Sequence, residues 1–138
     1  MQGGYTRGVI WERDVGWRYI EPPRGYMNLQ FSGVSGDGRS FSCTPFHVSD
    51  RGFYLASRYT DATGVVTLSD ISSDPPGEDE RDFSSGDAIS QDGLVIAGVG
   101  RDSRTSYAMT WTMDGPVRVL WRPSTLSGAI SGDGRYVA

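Results

Sequence analysis

Three aspartates recur in one short motif, and their spacing makes them the first candidates for ligand chemistry. The motif reads aliphatic-Ser-x-Asp-Gly at Val34–Gly38, Ile89–Gly93 and Ile130–Gly134. If the repeats arrange Asp37, Asp92 and Asp133 around a common mouth, the carboxylates could bind a cation or a sugar. The same residues are typical of turns, because Asp caps its own turn and Gly supplies a positive φ. Each Asp-Gly step between apolar runs predicts a β-hairpin in which both central residues take positive φ.

Aromatic residues recur in step with these motifs. Trp11, Tyr59 and Trp111 fall at matching places in successive segments, which favours packing between units over platforms for carbohydrate or peptide. Trp17 and Trp121 are less regular, and they are weaker candidates for contact with a ligand. Gly38, Gly93 and Gly134 are expected to have a structural role in the turns. The three aromatic residues are expected to have a structural role in packing.

An acidic stretch is the most distinctive irregularity. Residues 70–92 hold eight carboxylates against Arg81 alone, and Pro75-Pro76 within residues 72–85 predicts a loop insertion. Its weak candidates for a metal are Asp74, Glu78, Asp79, Glu80 and Asp82. Calcium needs about six to eight oxygen ligands at defined spacing, and this stretch does not match the calcium-loop pattern. A solvated loop or a surface for a basic partner are the alternatives, so no metal is assigned.

Other chemistry is poorly supported. All 13 basic residues are Arg, which excludes lysine-based covalent catalysis, and one Cys with one His cannot build a structural zinc site. His47 lies near Ser49 and Asp50, but there is no Gly-x-Ser-x-Gly nucleophile elbow. Cys43, in an apolar strand, is expected to be buried. We therefore expect no enzyme activity, no catalytic residue and no cofactor.

The composition also limits the partners. The net charge of −4 disfavours nucleic acid, and no apolar run approaches the roughly 18 residues of a membrane-spanning helix. Residues 1–5 show no apolar region of a signal peptide, and the sequence leaves the compartment undetermined.

The sequence predicts a single all-β domain built from repeated four-stranded units. Nineteen Gly and seven Pro separate short runs rich in β-branched and aromatic residues, with no helical periodicity. Labelling the strands of a unit a to d, the predicted order is cd, abcd, abcd, ab, or twelve strands. The boundaries are residues 1–29, 30–71 followed by the acidic loop 72–85, 86–121 and 122–138. A competing alignment takes Val48–Gly52, rather than Val34–Gly38, as the repeat that precedes Ile89–Gly93.

Residues 86–138 carry a family resemblance. The segment Ala88–Gly98, then Ala108–Thr112, Leu120 and Ser127–Gly134, resembles the bacterial HAF-type repeat and, more distantly, the TolB-type propeller repeat. The resemblance weakens over residues 33–71, where Tyr59 replaces the expected Trp. It implies β-propeller blades of four antiparallel strands, three blades' worth per chain, but no common activity.

Three blades cannot close a propeller, which typically has about four to eight. We expect a non-catalytic binding or assembly module that closes a six-bladed ring as a head-to-tail homodimer, with a possible carbohydrate or protein ligand and no nucleic-acid or membrane partner. The alternatives are a carbohydrate-active propeller, either lectin or glycosidase, and a piece of a longer propeller with no activity of its own.

Overall fold

The computed structural model describes residues 6–47, 53–68, 83–101, 105–113, 117–121 and 128–138, and only the backbone of Trp121. The strands are β1 Gly8–Glu12, β2 Gly16–Ile20, β3 Tyr26–Val34, β4 Ser40–His47, β5 Phe53–Tyr54, β6 Ser57–Thr60, β7 Gly64–Thr67, β8 Phe83–Ile89, β9 Val95–Arg101, β10 Ser106–Thr112 and β11 Arg118–Trp121. No helix occurs in these ranges, and the predicted all-β class is confirmed.

The strands form three antiparallel sheets in chain order. β1 and β2 make a hairpin, β3-β4-β6-β7 follow one another across a middle sheet with β5 also paired to β4, and β8-β9-β10-β11 make a third sheet. Each strand pairs with its neighbour in sequence because short turns favour antiparallel hairpins. The middle and third sheets therefore each contain a four-stranded meander, as the repeat predicts.

Two hydrophobic cores hold the sheets together face to face. Ile10 and Ile20 of the first sheet lie in one cluster with Leu29, Phe41 and Tyr59 of the middle sheet. A second cluster joins the middle sheet to the third. Its buried members are Ala56, Ile89, Ile96, Tyr107, Met109 and Trp111, with Leu68 and Val117 packed against them. The middle sheet thus buries both of its faces, as expected of repeats that contact only their neighbours.

The Asp-Gly turns differ from the predicted conformation. Only Gly38, Gly93 and Gly134 take positive φ, at 71°, 73° and 71°, whereas the aspartates before them do not. In the second motif, the Gly93 N–H donates to the Ser90 carbonyl oxygen at 2.9 Å. This makes Gln91 and Asp92 the centre of a type I turn, with Gly93 in the left-handed conformation after it. The prediction of positive φ at both central residues was wrong, because Ser-x-Asp-Gly is itself the turn.

Several predicted boundaries also move. Phe83–Ser85, expected in the acidic loop, belong to β8, and β3 begins at Tyr26, before the expected boundary at residue 30. Within the second unit, β5 and β6 are separated by Leu55 and Ala56, which belong to neither strand. The last unit, expected as two strands, contributes only an isolated bridge between Ile130 and Val137. The described residues therefore hold eleven strands and two isolated bridges, the second between Thr6 and Asn28, where twelve strands were predicted.

The three sheets do not form a propeller within one chain. The first has only two strands, and no described sheet covers its outer face, where Val9, Trp11, Trp17 and Tyr19 are all exposed. Among the residues that the structure describes, only segment 128–138 lies beside the outer side of the third sheet. The stack is therefore open at both ends, and the propeller remains a prediction.

Candidate assembly site

Each Ser-x-Asp-Gly turn is closed by the same side-chain bonds. In the second turn, the Ser90 hydroxyl donates to Asp92 Oδ1 at 2.5 Å and accepts the Val95 N–H at 3.0 Å. The same Oδ1 accepts the Leu94 N–H at 3.0 Å. The first and third turns repeat all three bonds, and their Ser-to-Asp distances are 2.6 Å and 2.7 Å. The shared geometry explains why Ser and Asp recur two residues apart.

The carboxylates are occupied by their own turns. Hydrogen bonds from Ser90 and from the Leu94 N–H lower the pKa of Asp92, and the corresponding bonds lower the pKa of Asp37 and Asp133. The residues that the structure describes contain no group of three or more His, Cys, Asp or Glu able to hold a metal ion. The geometry therefore supports turn chemistry for these residues and offers no observation in favour of a cation-binding ring.

The three turns stack side by side through their variable residues. The Gly36 N–H donates to the Gln91 carbonyl oxygen at 2.7 Å, and the Gln91 N–H donates to the Gly132 carbonyl oxygen at 2.8 Å. A side chain at Gly36 would overlap Gln91 Cγ, and one at Gly132 would come within 2.9 Å of Gln91 Oε1. Glycine at these two positions lets adjacent turns approach closely on either side of Gln91. We call this row the turn ladder.

The turn ladder ends in two complementary groups. Because each turn donates to the following one, the first turn leaves the Gly36 carbonyl oxygen as an acceptor and the last leaves the Gly132 N–H as a donor. Neither group has a hydrogen-bond partner within the described part of the chain. Another turn of the same kind could bond to either end, since one end has a free N–H donor and the other a free carbonyl acceptor.

Trp11 lacks the neighbour that its equivalents have. Tyr59 is 7% exposed in the core against the first sheet, and Trp111 is 2% exposed in the core against the middle sheet. Trp11 was expected to pack between units, yet it is 58% exposed. No described sheet lies on the outer side of the hairpin, so the packing of Trp11 between units stays a prediction.

Trp11 belongs to a continuous apolar face. Val9 pairs with Tyr19, and Trp11 pairs with Trp17, so the four side chains share one side of the β1–β2 hairpin. Val9, Trp17 and Tyr19 are 44%, 67% and 64% exposed. We call these four residues the hairpin face. Trp17, a candidate for ligand contact, is thus part of a larger surface.

The opposite end of the stack also exposes apolar side chains. Leu120 of β11 and Tyr136 of segment 128–138 are 46% and 75% exposed. Segment 128–138 adjoins the third sheet through its turn, where a side chain at Gly134 would come within 2.8 Å of Val95 Cγ2. Both ends of the stack therefore present apolar surface, and the turn ladder has one free group at each of its ends.

Other candidate residues take structural places or fall outside the description. His47 is stacked on Phe53 at 4.5 Å between ring centroids and lies edge-on to Tyr26. Burial raises the pKa of the Cys43 thiol to about 12, so this thiol is a poor nucleophile. Ser49, Asp50, the Trp121 side chain and the acidic candidates lie outside the described residues. The last group comprises Asp74, Glu78, Asp79, Glu80 and Asp82.

The comparisons give this chain no family. A search against protein-family models finds no match, and a search of curated proteins finds no relative. The likeness to HAF-type and TolB-type repeats therefore stays a prediction from the sequence. Within the described ranges, no helix has the length and apolar character needed to span a membrane.

The turn ladder was missed by sequence reasoning. Its signal was present in the variable position of the motif, which is Gly in the first and third turns and Gln in the second. Glycine where the turn itself requires no positive φ indicates that another part of the chain approaches closely.

Proposed function

We propose that this chain is a non-catalytic β-propeller assembly module that closes a ring with a second copy of itself. Each chain supplies a two-stranded sheet at its start, a five-stranded middle sheet, a four-stranded third sheet and a C-terminal hairpin segment. In the proposed ring, the C-terminal segment of one copy completes the first sheet of the other. Two chains then provide six blades, within the usual range of about four to eight.

The observation that carries this proposal is the difference in exposure between Trp11 and Trp111. The two residues are equivalent in the repeat, and Trp111 is buried against the sheet that precedes it. A preceding sheet would bury Trp11 in the same way, and a repeat unit is stable only when its faces are covered by neighbours. Burying large aromatic side chains is a dominant source of binding free energy at interfaces.

The turn ladder supports a second copy as the neighbour. Its two free ends are a donor at Gly132 and an acceptor at Gly36, and head-to-tail association brings such ends together. The Gly132 N–H of one copy would then donate to the Gly36 carbonyl oxygen of the other. The hydrogen bonds would run through all six turns without interruption. This satisfies both groups in the same geometry that joins the turns within the chain.

The first test measures mass by light scattering on folded, soluble protein. The wild-type chain is expected at twice its 15.0 kDa mass. Trp11→Gln is expected to shift the mass to that of one chain with an unchanged circular dichroism spectrum, since Trp11 is already exposed in the single chain. Leu94→Arg is the matched control. Leu94 is 53% exposed and follows the second Asp-Gly step, where the other two turns carry Arg39 and Arg135.

A second pair of variants tests the hydrogen bond itself. Gly132 is the first central residue of its turn, a position that favours proline, so Gly132→Pro removes the N–H while suiting the turn. Gly132→Ala adds a Cβ but keeps the N–H. Both variants carry the same added Cβ, so we expect Gly132→Pro to weaken dimerisation by about tenfold more than Gly132→Ala, as for a lost hydrogen bond. A wild-type chain that is folded and monomeric, or equal dimerisation by both Gly132 variants, would contradict the proposal.

A further inference from the structure

A cavity of about 700 Å³ lies beside the middle sheet. All of its described lining residues belong to one chain, and none of them belongs to the hairpin face or to the ends of the turn ladder. Its polar lining includes Arg39, Ser40 and Arg58, and its apolar lining includes Val66, Leu68 and Met113. Met113 directly follows β10, so the cavity reaches the third sheet. Pockets of about 300–1,000 Å³ with an apolar wall and a few polar groups are typical of small-molecule sites.

Arg58 occupies a position that is apolar in the first sheet. It directly precedes Tyr59, as Ile10 directly precedes the equivalent Trp11. Ile10 is 7% exposed and packs in the core between the first two sheets. The third sheet has Thr110 at this place, 8% exposed, so among the three sheets only the middle one carries an arginine there. A guanidinium costs free energy to remove from water.

The Arg58 guanidinium is incompletely satisfied. Its Nη2 donates to Ser40 Oγ at 2.7 Å, while its Nε is buried and has no hydrogen-bond partner among the described residues. Within the same residues, neither Arg58 nor Arg39 forms an ion pair with a carboxylate. Burial lowers the pKa of Arg58, and the more distant charge of Asp37 acts in the opposite direction. An anion in the cavity would supply the missing countercharge, at the part of the guanidinium that lines the cavity.

The other polar groups of the cavity already have partners. Asp61 accepts from Arg18 at 2.9 Å and from the Tyr59 hydroxyl at 2.8 Å. Thr60 and Thr63 share a hydrogen bond of 2.7 Å between their hydroxyls. Among the described groups that line the cavity, the buried one left without a partner is the cationic guanidinium of Arg58, next to an aliphatic and thioether wall. That combination suits an acidic group attached to an apolar body.

We propose that this cavity binds a small organic monoanion, a carboxylate on an apolar body. Arg58, with Arg39, holds the carboxylate, since a guanidinium can donate two parallel N–H bonds to its oxygens. Val66, Leu68 and Met113 contact the apolar part. The site is complete within one chain, so it does not depend on the proposed ring.

The test compares two probes of the same shape, 2-naphthoate and the uncharged 2-naphthylmethanol, by titration calorimetry and by amide chemical shifts. We expect naphthoate to bind with a dissociation constant of about 1 mM or tighter and the alcohol at least about tenfold more weakly. Shift changes should centre on Arg58, Val66 and Met113. Failure of naphthoate to bind in this range, or equal binding of both probes, would overturn the proposal.

Three variants locate the anion. Arg58→Ile, which copies the first sheet, and Arg39→Ser should each weaken naphthoate binding by about tenfold or more. Arg135→Ser is the matched control for Arg39, because both follow an Asp-Gly step and only Arg39 lines the cavity. Naphthoate binding that survives Arg58→Ile, or that falls equally with Arg135→Ser, would contradict the site. Circular dichroism shows whether each variant is folded. If Arg58→Ile does not fold, Arg39→Ser still tests the site, because Arg39 is exposed and its replacement should leave the fold intact.

Discussion

The amide N–H of Gly36 donates to the carbonyl oxygen of Gln91 at 2.7 Å, which joins the turns of two different repeat units. The bond from Gln91 to Gly132 repeats this relationship at 2.8 Å. The sheets therefore make contact through both their cores and their turns. A row of turns bonded in this way can be extended at either end by another turn of the same kind, and for this reason the two ends of the turn ladder define the proposed assembly.

The Ser hydroxyl of each turn should contribute to stability according to its burial. Ser90 is fully buried and bonds both Asp92 and the Val95 N–H, so Ser90→Ala should lower the free energy of unfolding by about 1–3 kcal/mol. Ser131 makes the same bonds in a more exposed turn, and Ser131→Ala should cost less than about 1 kcal/mol. Urea denaturation measures the free energy of unfolding of both variants. Equal losses would show that burial does not determine how much the serine hydroxyl contributes to stability.

Acid should destabilise the turns. Their aspartates have pKa values below the ordinary 3.8 in the folded state, so their stabilisation is present above pH 3.8 and is lost as the pH falls through the lowered values. Urea denaturation across pH should show that Asp92→Asn reduces the loss of unfolding free energy below pH 3.8. A larger loss in this variant would contradict the assignment.

Asp87 should have the opposite effect. Burial raises its pKa, so its protonation favours the folded state as the pH falls through that raised value. Asp87→Asn should therefore raise the free energy of unfolding at neutral pH in the same urea experiment, and a decrease would contradict this assignment.

Gly98 should tolerate no side chain. A Cβ there would overlap the carbonyl oxygen of Ser85 on the paired strand β8, which is backbone and cannot move aside cheaply. Gly98→Ala should therefore destabilise the chain by about 1–3 kcal/mol or more. Gly128→Ala is the control, since nothing lies within 4 Å of its added Cβ, and it should change stability by less than about 0.5 kcal/mol. Thermal unfolding of both variants distinguishes them.

The thiol of Cys43 should be protected in the native chain. It is fully buried, and its pKa of about 12 leaves almost no thiolate near neutral pH. An aromatic disulfide reagent that releases a coloured thiolate should react with Cys43 only after denaturant is added. Rapid labelling of native protein would mean that the core around Phe41 and Tyr59 opens readily.

The repeat made the order of the strands predictable, but not their neighbours in space. Ser90, Asp92 and Gly93 determine a turn locally, because their bonds reach only a few residues, and the flanking apolar runs determine the strands. Arg58 could not be assigned to a cavity from sequence, because its surroundings come from β4, β7 and the end of β10. Trp11 and Trp111 look alike in the sequence, and only the presence or absence of a preceding sheet separates them.

Amide hydrogen exchange at Gly132, followed by nuclear magnetic resonance at several protein concentrations, tests the proposed ring most directly. In the ring this N–H is bonded to a second copy, so it should exchange slowly at high concentration, as Gly36 and Gln91 do, and quickly on dilution or in Trp11→Gln. Fast exchange at Gly132 at every concentration, with Gly36 and Gln91 still protected, would show that the turn ladder ends within one chain and that the ring does not form.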